Sequence, residues 1–283
     1  FLQFILVISL FVTFKIIGRQ NASLMGSLLA KIFGPLFRSK TIIEKNLNIC
    51  FKKIDQNEIE KISLGMWENI GRTFSEYVFL KNFKKNHKNL IKLNGKKYLD
   101  EIKNSNKPVV FVSGHFSNFE LLGTKLNSYD IRFCAIYRPL NNIFLNPIME
   151  YLRLKYVCPI MIKKGRMNIR ELLNKIKNGY SVIIIADQRT SEGKKVEFFD
   201  YPALTSTIPA QISLKYGCKI VPIHMERLSY SNFEMTVYKP LEFKKTDNYE
   251  KDSYNLTLEI NKQLEEMILK RPEQWLWSHN RWK

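Results

Sequence analysis

The residues best placed to do chemistry are His115 and Glu120, in the run Ser113-Gly114-His115-Phe116-Ser117-Asn118-Phe119-Glu120. The apolar stretch Val109-Val110-Phe111-Val112 precedes them and reads as a buried strand, and a helix-like stretch begins near Leu121. The pair therefore sits where a strand gives way to a helix, the end at which open α/β sheets place their ligands. A carboxylate that orients an imidazole makes a general base able to take a proton from an alcohol. On one continuous helix, five positions turn by about 500° and leave the side chains about 140° apart. The two can meet only if His115 lies in the loop and Glu120 in the first helical turn. Gly114 permits the sharp exit, Ser117 or Asn118 can cap the helix, and backbone N–H groups near Asn118 would face developing negative charge. By spacing alone, a capped helix with an incidental histidine fits the same residues.

Further groups follow the next strands. Tyr137-Arg138-Pro139 with Asn142 ends one of them, and Arg153 lies fifteen residues beyond Arg138, on a short helix after Pro147. Arginine binds phosphate bidentately, which suits a phosphorylated substrate. Asp187-Gln188 closes the run Ile183-Ile184-Ile185-Ala186. Asp187 is there either a turn residue or a group that orients an arginine or a sugar hydroxyl. Phe198-Phe199-Asp200-Tyr201-Pro202 follows a polar loop and could line an apolar tunnel. There is no GxSxG elbow, GxGxxG or GxxxxGK[ST], and His87, His115, His224 and His279 make no paired metal-ligand spacing. Serine hydrolase, dinucleotide, P-loop and zinc chemistry are thereby disfavoured; no metal and no cofactor is expected.

These groups need elements to hold them. From residue 107 onward, strand-like runs at 108–112, 131–137, 157–162, 181–186 and 218–223 alternate with helical stretches at 119–127, 145–156, 166–178 and 205–216. Gly179 and Gly217 stand where helix C-caps belong, and Thr205 or Ser206 can start the helix containing Pro209. A late strand covers 233–238 and a closing helix 249–270. Residues 41–80 look helical, with Ile59, Ile62, Met66, Ile70, Phe74 and Tyr77 forming a stripe for core packing. Strand–helix alternation predicts an α/β fold with a central sheet flanked by helices on both faces.

The chain of 283 residues carries a net charge of +19, mostly from scattered lysines, eight of them in 81–103. That region reads as a solvated face or a site for an acidic partner or headgroups. An anionic lipid surface and nucleic acid both suit the charge. The first fourteen residues, FLQFILVISLFVTF, have no charge until Lys15; Lys15, Arg19, Lys31, Arg38 and Lys40 then come before the first acid, Glu44. Such a pattern predicts an uncleaved membrane anchor with its positive side cytoplasmic, followed by an interfacial segment. We divide the chain into an anchor and interfacial segment, 1–40, and a catalytic domain, 41–283. Cys50, Cys134, Cys158 and Cys218 show no paired spacing and suit free thiols in a reducing compartment.

Taken together, these blocks resemble a known family. His115-Phe116-Ser117-Asn118-Phe119-Glu120 is similar to the HxxxxE signature of the late acyltransferases of lipid A biosynthesis, the lauroyl/myristoyl family, where it commonly reads HFGNWE. Glycerolipid acyltransferases use a related HxxxxD. Tyr137-Arg138-Pro139 with Asn142 resembles that family's YRPxxN block, Arg153 falls at the spacing of its later arginine, Ala186-Asp187-Gln188 resembles its PDQ block, and Val221-Pro222 its last block. Ser117, Phe119 and Ala186 depart from the commoner Gly, Trp and Pro. The resemblance covers essentially the whole chain. It implies a glycerolipid-acyltransferase-like, mixed but mostly parallel sheet, with His115 and Glu120 as catalytic pair. Asn118, Arg138, Asn142, Arg153, Asp187 and Gln188 would bind substrate. The implied reaction moves a fatty acyl chain from acyl carrier protein to a hydroxyl of a Kdo-bearing lipid A precursor, without a covalent intermediate. The implied setting is the cytoplasmic face of a bacterial inner membrane, on an anionic lipid surface, with no nucleic-acid partner. Acyl transfer to a glycerophospholipid or phosphatidyl-sugar is the alternative.

Overall fold

The computed structural model describes residues 1–37 and 40–283; Arg38, counted above among the basic residues, lies outside the described residues. The helices are α1 (Leu2–Ile17), α2 (Arg19–Phe37), α3 (Lys40–Cys50), α4 (Gln56–Glu76), α5 (Leu80–Lys85), α6 (His87–Leu90), α7 (Lys96–Ser105), α8 (Glu120–Asn127), α9 (Leu145–Tyr156), α10 (Ile169–Lys177), α11 (Ile208–Tyr216) and α12 (Tyr249–Lys270). The strands are β1 (Ile91–Asn94), β2 (Val109–Ser113), β3 (Phe133–Tyr137), β4 (Met161–Lys163), β5 (Ser181–Ile185), β6 (Lys194–Phe198), β7 (Tyr201–Thr205), β8 (Lys219–Ser229) and β9 (Asn232–Val237).

Among the described residues, seven strands form the main sheet in the order β1-β9-β8-β2-β5-β3-β4. The ladders β8–β2–β5–β3–β4 are all parallel, whereas β9 runs antiparallel to β8 and carries β1 parallel to itself. The α/β, mostly parallel sheet expected from the sequence is therefore present. All five residues of β2 are buried, which is why its sequence is a continuous apolar run rather than an alternating one. One apolar cluster packs α3, α4, α11 and α12 against one face of the sheet, and a second packs α1, α5, α7 and α8 against the other.

The helix limits follow local chemistry. Asp55 caps α4 by accepting the Glu58 N–H at 2.8 Å, so the helical region read as 41–80 is broken between Cys50 and Gln56. Gly217 ends α11 in the left-handed region with φ of 68°, and Gly179 follows α10 with φ of 79°. The cap expected from Thr205 or Ser206 is displaced: Thr205 ends β7, and α11 starts after Thr207.

Two features differ from the sequence reading. The lysine-rich region, whose eight lysines are all exposed, also contains the edge strand β1. The stretch around Phe198-Phe199, read as tunnel lining, is a hairpin of β6 and β7 turning at Phe199 and Asp200, with φ of 53° and 61°. Such a turn usually announces itself through Asn-Gly or Asp-Gly. Here burial enforces it: Phe198 is fully buried against Trp275 and Trp282, and the Phe199 N–H donates to Glu265 at 2.8 Å.

Among the described residues no helix is long and apolar enough to cross a membrane. Phe11 and Phe14 of α1 are buried against Phe74 of α4. Helix α2 lies directly on α4, backbone to backbone: a Cβ on Gly71 would sit 2.0 Å from the Gly26 carbonyl oxygen. The outward sides of both helices stay apolar, with Leu2, Leu6, Ile16, Ile32 and Leu36 each more than 60% exposed.

Candidate active site

Strand register builds the centre of the site. Ser113 of β2 pairs with Ile185 of β5, and the Ala186 N–H donates to the Ser113 carbonyl at 2.8 Å. Two residues past each partner, the chains reach the same level with His115 and Asp187 side by side. One carboxylate oxygen of Asp187, Oδ1, stands 2.8 Å from His115 Nδ1. The other, Oδ2, accepts the His115 backbone N–H at 2.8 Å and the Trp275 indole N–H at 2.8 Å. Burial alone would raise the Asp187 carboxyl; the neighbouring His115 and the donors from His115 and Trp275 outweigh it and hold the group below its ordinary value. An ionised carboxylate only accepts, so Nδ1 carries the ring proton and Nε2 presents its lone pair. Gln188 Nε2 lies 3.4 Å from that nitrogen.

This corrects the expected pairing of His115 with Glu120. Glu120 does start α8, but its Oε1 accepts Arg153 Nε at 2.9 Å and Nη2 at 2.6 Å, and it also takes the Tyr77 hydroxyl. Arg153 Nη2 lies 2.9 Å from the Tyr77 oxygen. His115 and Glu120 share no hydrogen bond among the described residues. Burial and Glu120 push the Tyr77 hydroxyl far up, so it stays protonated as a donor. Burial would lower the Arg153 guanidinium, but Glu120 and Tyr77 more than offset it and raise it. Arg153, expected as a direct phosphate ligand, is thus tied on one edge to protein.

The loop between β2 and α8 is clamped from below. Ser117 takes a φ of 47°, unusual outside glycine. Its N–H donates to the Gln274 carbonyl at 2.8 Å and its carbonyl accepts the Thr73 hydroxyl at 3.2 Å. Asn118, expected to touch substrate, is 1% exposed and donates to Glu76 at 2.9 Å. Glu76 is itself buried and paired with Arg227. Asn142 likewise serves the chain rather than a groove: its Oδ1 accepts the N–H groups of Phe144 and Leu145, and its Nδ2 donates to Gln3.

A groove of about 360 Å³ opens from His115 between the strand ends and helices α8 and α9. Its floor is apolar, made by Leu122, Ala135, Val157, Met161, Ile183 and Ile185. Gly123 lets α8 come close there; a Cβ would sit 2.7 Å from the Val157 carbonyl oxygen. Its mouth carries Arg138, Arg153, Lys164 and Arg189, with Gln188 beside His115. The sequence-selected residues thus divide: His115, Glu120, Arg138, Arg153 and Gln188 line the groove, Asp187 stands behind the imidazole, and Asn118 and Asn142 lie in supporting structure. Sequence reading missed Tyr77, Trp275 and Arg189. Trp275 had a signal, since three of the four tryptophans crowd into 275–282; Tyr77 passed as one more member of the packing stripe.

An imidazole held by a buried acid, above an apolar groove with a cationic mouth, can take a proton from a hydroxyl of a molecule that is part apolar and part anionic. The sequence comparisons name the class. The model of the bacterial lipid A biosynthesis acyltransferases matches residues 1–283, and the chain belongs to that family. A lipid A biosynthesis palmitoleoyltransferase of Escherichia coli is 26% identical over 88% of this chain and 80% of its own length. A lipid A biosynthesis lauroyltransferase of the same organism is 21% identical over 87% and 79%. A solved 1-acyl-sn-glycerophosphate acyltransferase from Thermotoga maritima superposes with a TM-score of 0.38 at 14% identity, covering 87% of this chain and 98% of that one.

Proposed function

We propose that this acyltransferase moves a fatty acyl group from an acyl carrier protein thioester to a hydroxyl on a Kdo-bearing lipid A precursor. The observation that carries the reading is the His115 imidazole, fixed by buried Asp187 where an apolar groove meets a cationic mouth. His115 Nε2 takes the proton of the acceptor hydroxyl. The oxygen attacks the thioester carbonyl carbon, the tetrahedral intermediate collapses, the C–S bond breaks, and the imidazolium returns its proton to the leaving sulfur. Asp187 stabilises the imidazolium while it lasts. Both substrates are bound together and no covalent acyl-enzyme forms. The floor of the groove takes the donor's acyl chain, and Arg138, Lys164 and Arg189 take phosphate at the mouth.

The apolar outer sides of α1 and α2 seat the protein on the cytoplasmic face of the inner membrane. The exposed lysines attract anionic lipid and the acidic carrier protein. The test is mass spectrometry of a Kdo-bearing precursor incubated with vesicles, acyl carrier thioester and the protein. The precursor gains one acyl mass, and His115→Ala slows the gain by roughly a thousandfold. Acylation of an added glycerophospholipid in place of the precursor would overturn the acceptor assignment, and full activity in His115→Ala would overturn the mechanism.

A further inference from the structure

A second cavity, about 230 Å³, lies on the other side of His115, between α4, the β2–α8 loop and the segment after α12. Among the described residues lining the two cavities, only His115 and Phe119 are shared. The Phe119 ring stands edge-on to the imidazole, with ring centres 4.9 Å apart. Histidine and phenylalanine thus form the partition between two chambers, and Nε2 is the reactive atom at that partition.

The chambers differ in chemistry. The larger one holds all the arginine and lysine among the described lining residues; the smaller is walled by Ile70, Phe74, Phe119, Trp275 and Leu276 and holds neither. Phe74 also packs against Phe11 and Phe14 of α1, so this chamber shares a wall with the helix whose outer side is exposed and apolar. One polar group in the smaller chamber is unused: the Ser117 hydroxyl is buried and has no hydrogen-bond partner among the described residues, Ser117 being 4% exposed. A buried unpaired hydroxyl is costly unless a ligand satisfies it.

We propose that the smaller chamber is the hydrocarbon site of the lipid acceptor and receives its hydroxyl-bearing chain, while the donor's chain occupies the groove across the partition. The inference rests on the acyl-transfer reading above. Direct transfer needs the hydroxyl and the thioester together at one base, and two chambers meeting at His115 supply that arrangement. A thioester tethered through a phosphate finds cations only on the larger side. A membrane lipid's chain reaches the smaller side along an apolar wall, and its hydroxyl gives the Ser117 hydroxyl a partner.

The test fills the smaller chamber without touching His115, Asp187 or Trp275. Ile70→Trp and Leu276→Trp are assayed in detergent micelles with a Kdo-bearing lipid A precursor and the dodecanoyl thioester of acyl carrier protein. The acceptor KM rises about tenfold or more, as expected for loss of well over 1 kcal/mol of binding, and the donor KM stays within about twofold. A rise in donor KM alone, an equal rise in both, or no change in either overturns the assignment. Should the bulky variants fail to fold, Leu276→Cys supplies the same answer without turnover. Its maleimide labelling, above the background from half-buried Cys50, is slowed by the precursor and unaffected by the thioester. The reverse pattern, or protection by neither, overturns the proposal. Protection is read without catalysis, so wild-type protein that transfers no acyl group at all would sink the acyl-transfer reading separately.

Discussion

Asp187 and Glu120 flank the same groove, 1% and 6% exposed, yet they hold different partners. Asp187 comes from the end of a strand, and register with β2 delivers it to the imidazole. Glu120 comes from the first turn of a helix that leads away from the loop, and it meets an arginine from α9 and a tyrosine following α4. One carboxylate sets the proton position on the imidazole; the other fixes the wall of the groove and pairs with a guanidinium at its mouth. The short spacing from His115 to Glu120 marks the loop that carries the imidazole, but the hydrogen bond that orients the ring comes from 72 residues away.

The comparison can be broken by isosteric changes. Asp187→Asn keeps the shape and removes the charge, and it permits the wrong imidazole tautomer. We expect kcat to fall by about a hundredfold or more, with both KM values little changed. A fall confined to KM would detach Asp187 from the base. Glu120→Gln leaves Arg153 buried without its counter-charge, so its main effects are a stability loss of about 3 kcal/mol and a raised KM. The double variant Glu120→Gln/Arg153→Gln should recover part of that stability in denaturant titration, because the uncompensated charge is gone. Additive losses would show that the two side chains do not act as a pair. Trp275→Phe sharpens the Asp187 side. It removes one donor to a charged acceptor, worth about 1.5–3 kcal/mol, and should lower kcat by about tenfold in the wild-type background. In the Asp187→Asn background the same change should cost much less; full additivity would mean that Trp275 acts by packing alone.

How much of this was legible in the sequence varies by residue. The apolar run of β2, the loop with His115, the limits of α9 and α12, and the glycines after α10 and α11 all carry local signals, because strands, caps and helical stripes are short-range events. The partner of His115 has no such signal: β2 and β5 are neighbours in the sheet but not in the chain, and register is a tertiary fact. Trp275 reaches Asp187 from 88 residues further on. Asn118 and Asn142 were chosen by position in a motif, and their side chains proved to serve the loop clamp and the turn before α9. Tyr77 fits the helical stripe as well as any apolar residue, and only its hydroxyl, invisible to periodicity, ties it to Glu120. The Phe199-Asp200 turn lacks the glycine that would have announced it, since the buried aromatics around Phe198 impose the geometry.

The central claim is that Asp187, and not Glu120, holds the His115 ring. The most direct measurement is the Nδ1–H proton resonance of His115 in protein labelled at histidine nitrogen, compared among wild type, Asp187→Asn and Glu120→Gln. The hydrogen-bonded, downfield resonance should be present in wild type, persist in Glu120→Gln and vanish or move far upfield in Asp187→Asn. A resonance lost in Glu120→Gln and retained in Asp187→Asn would contradict the account.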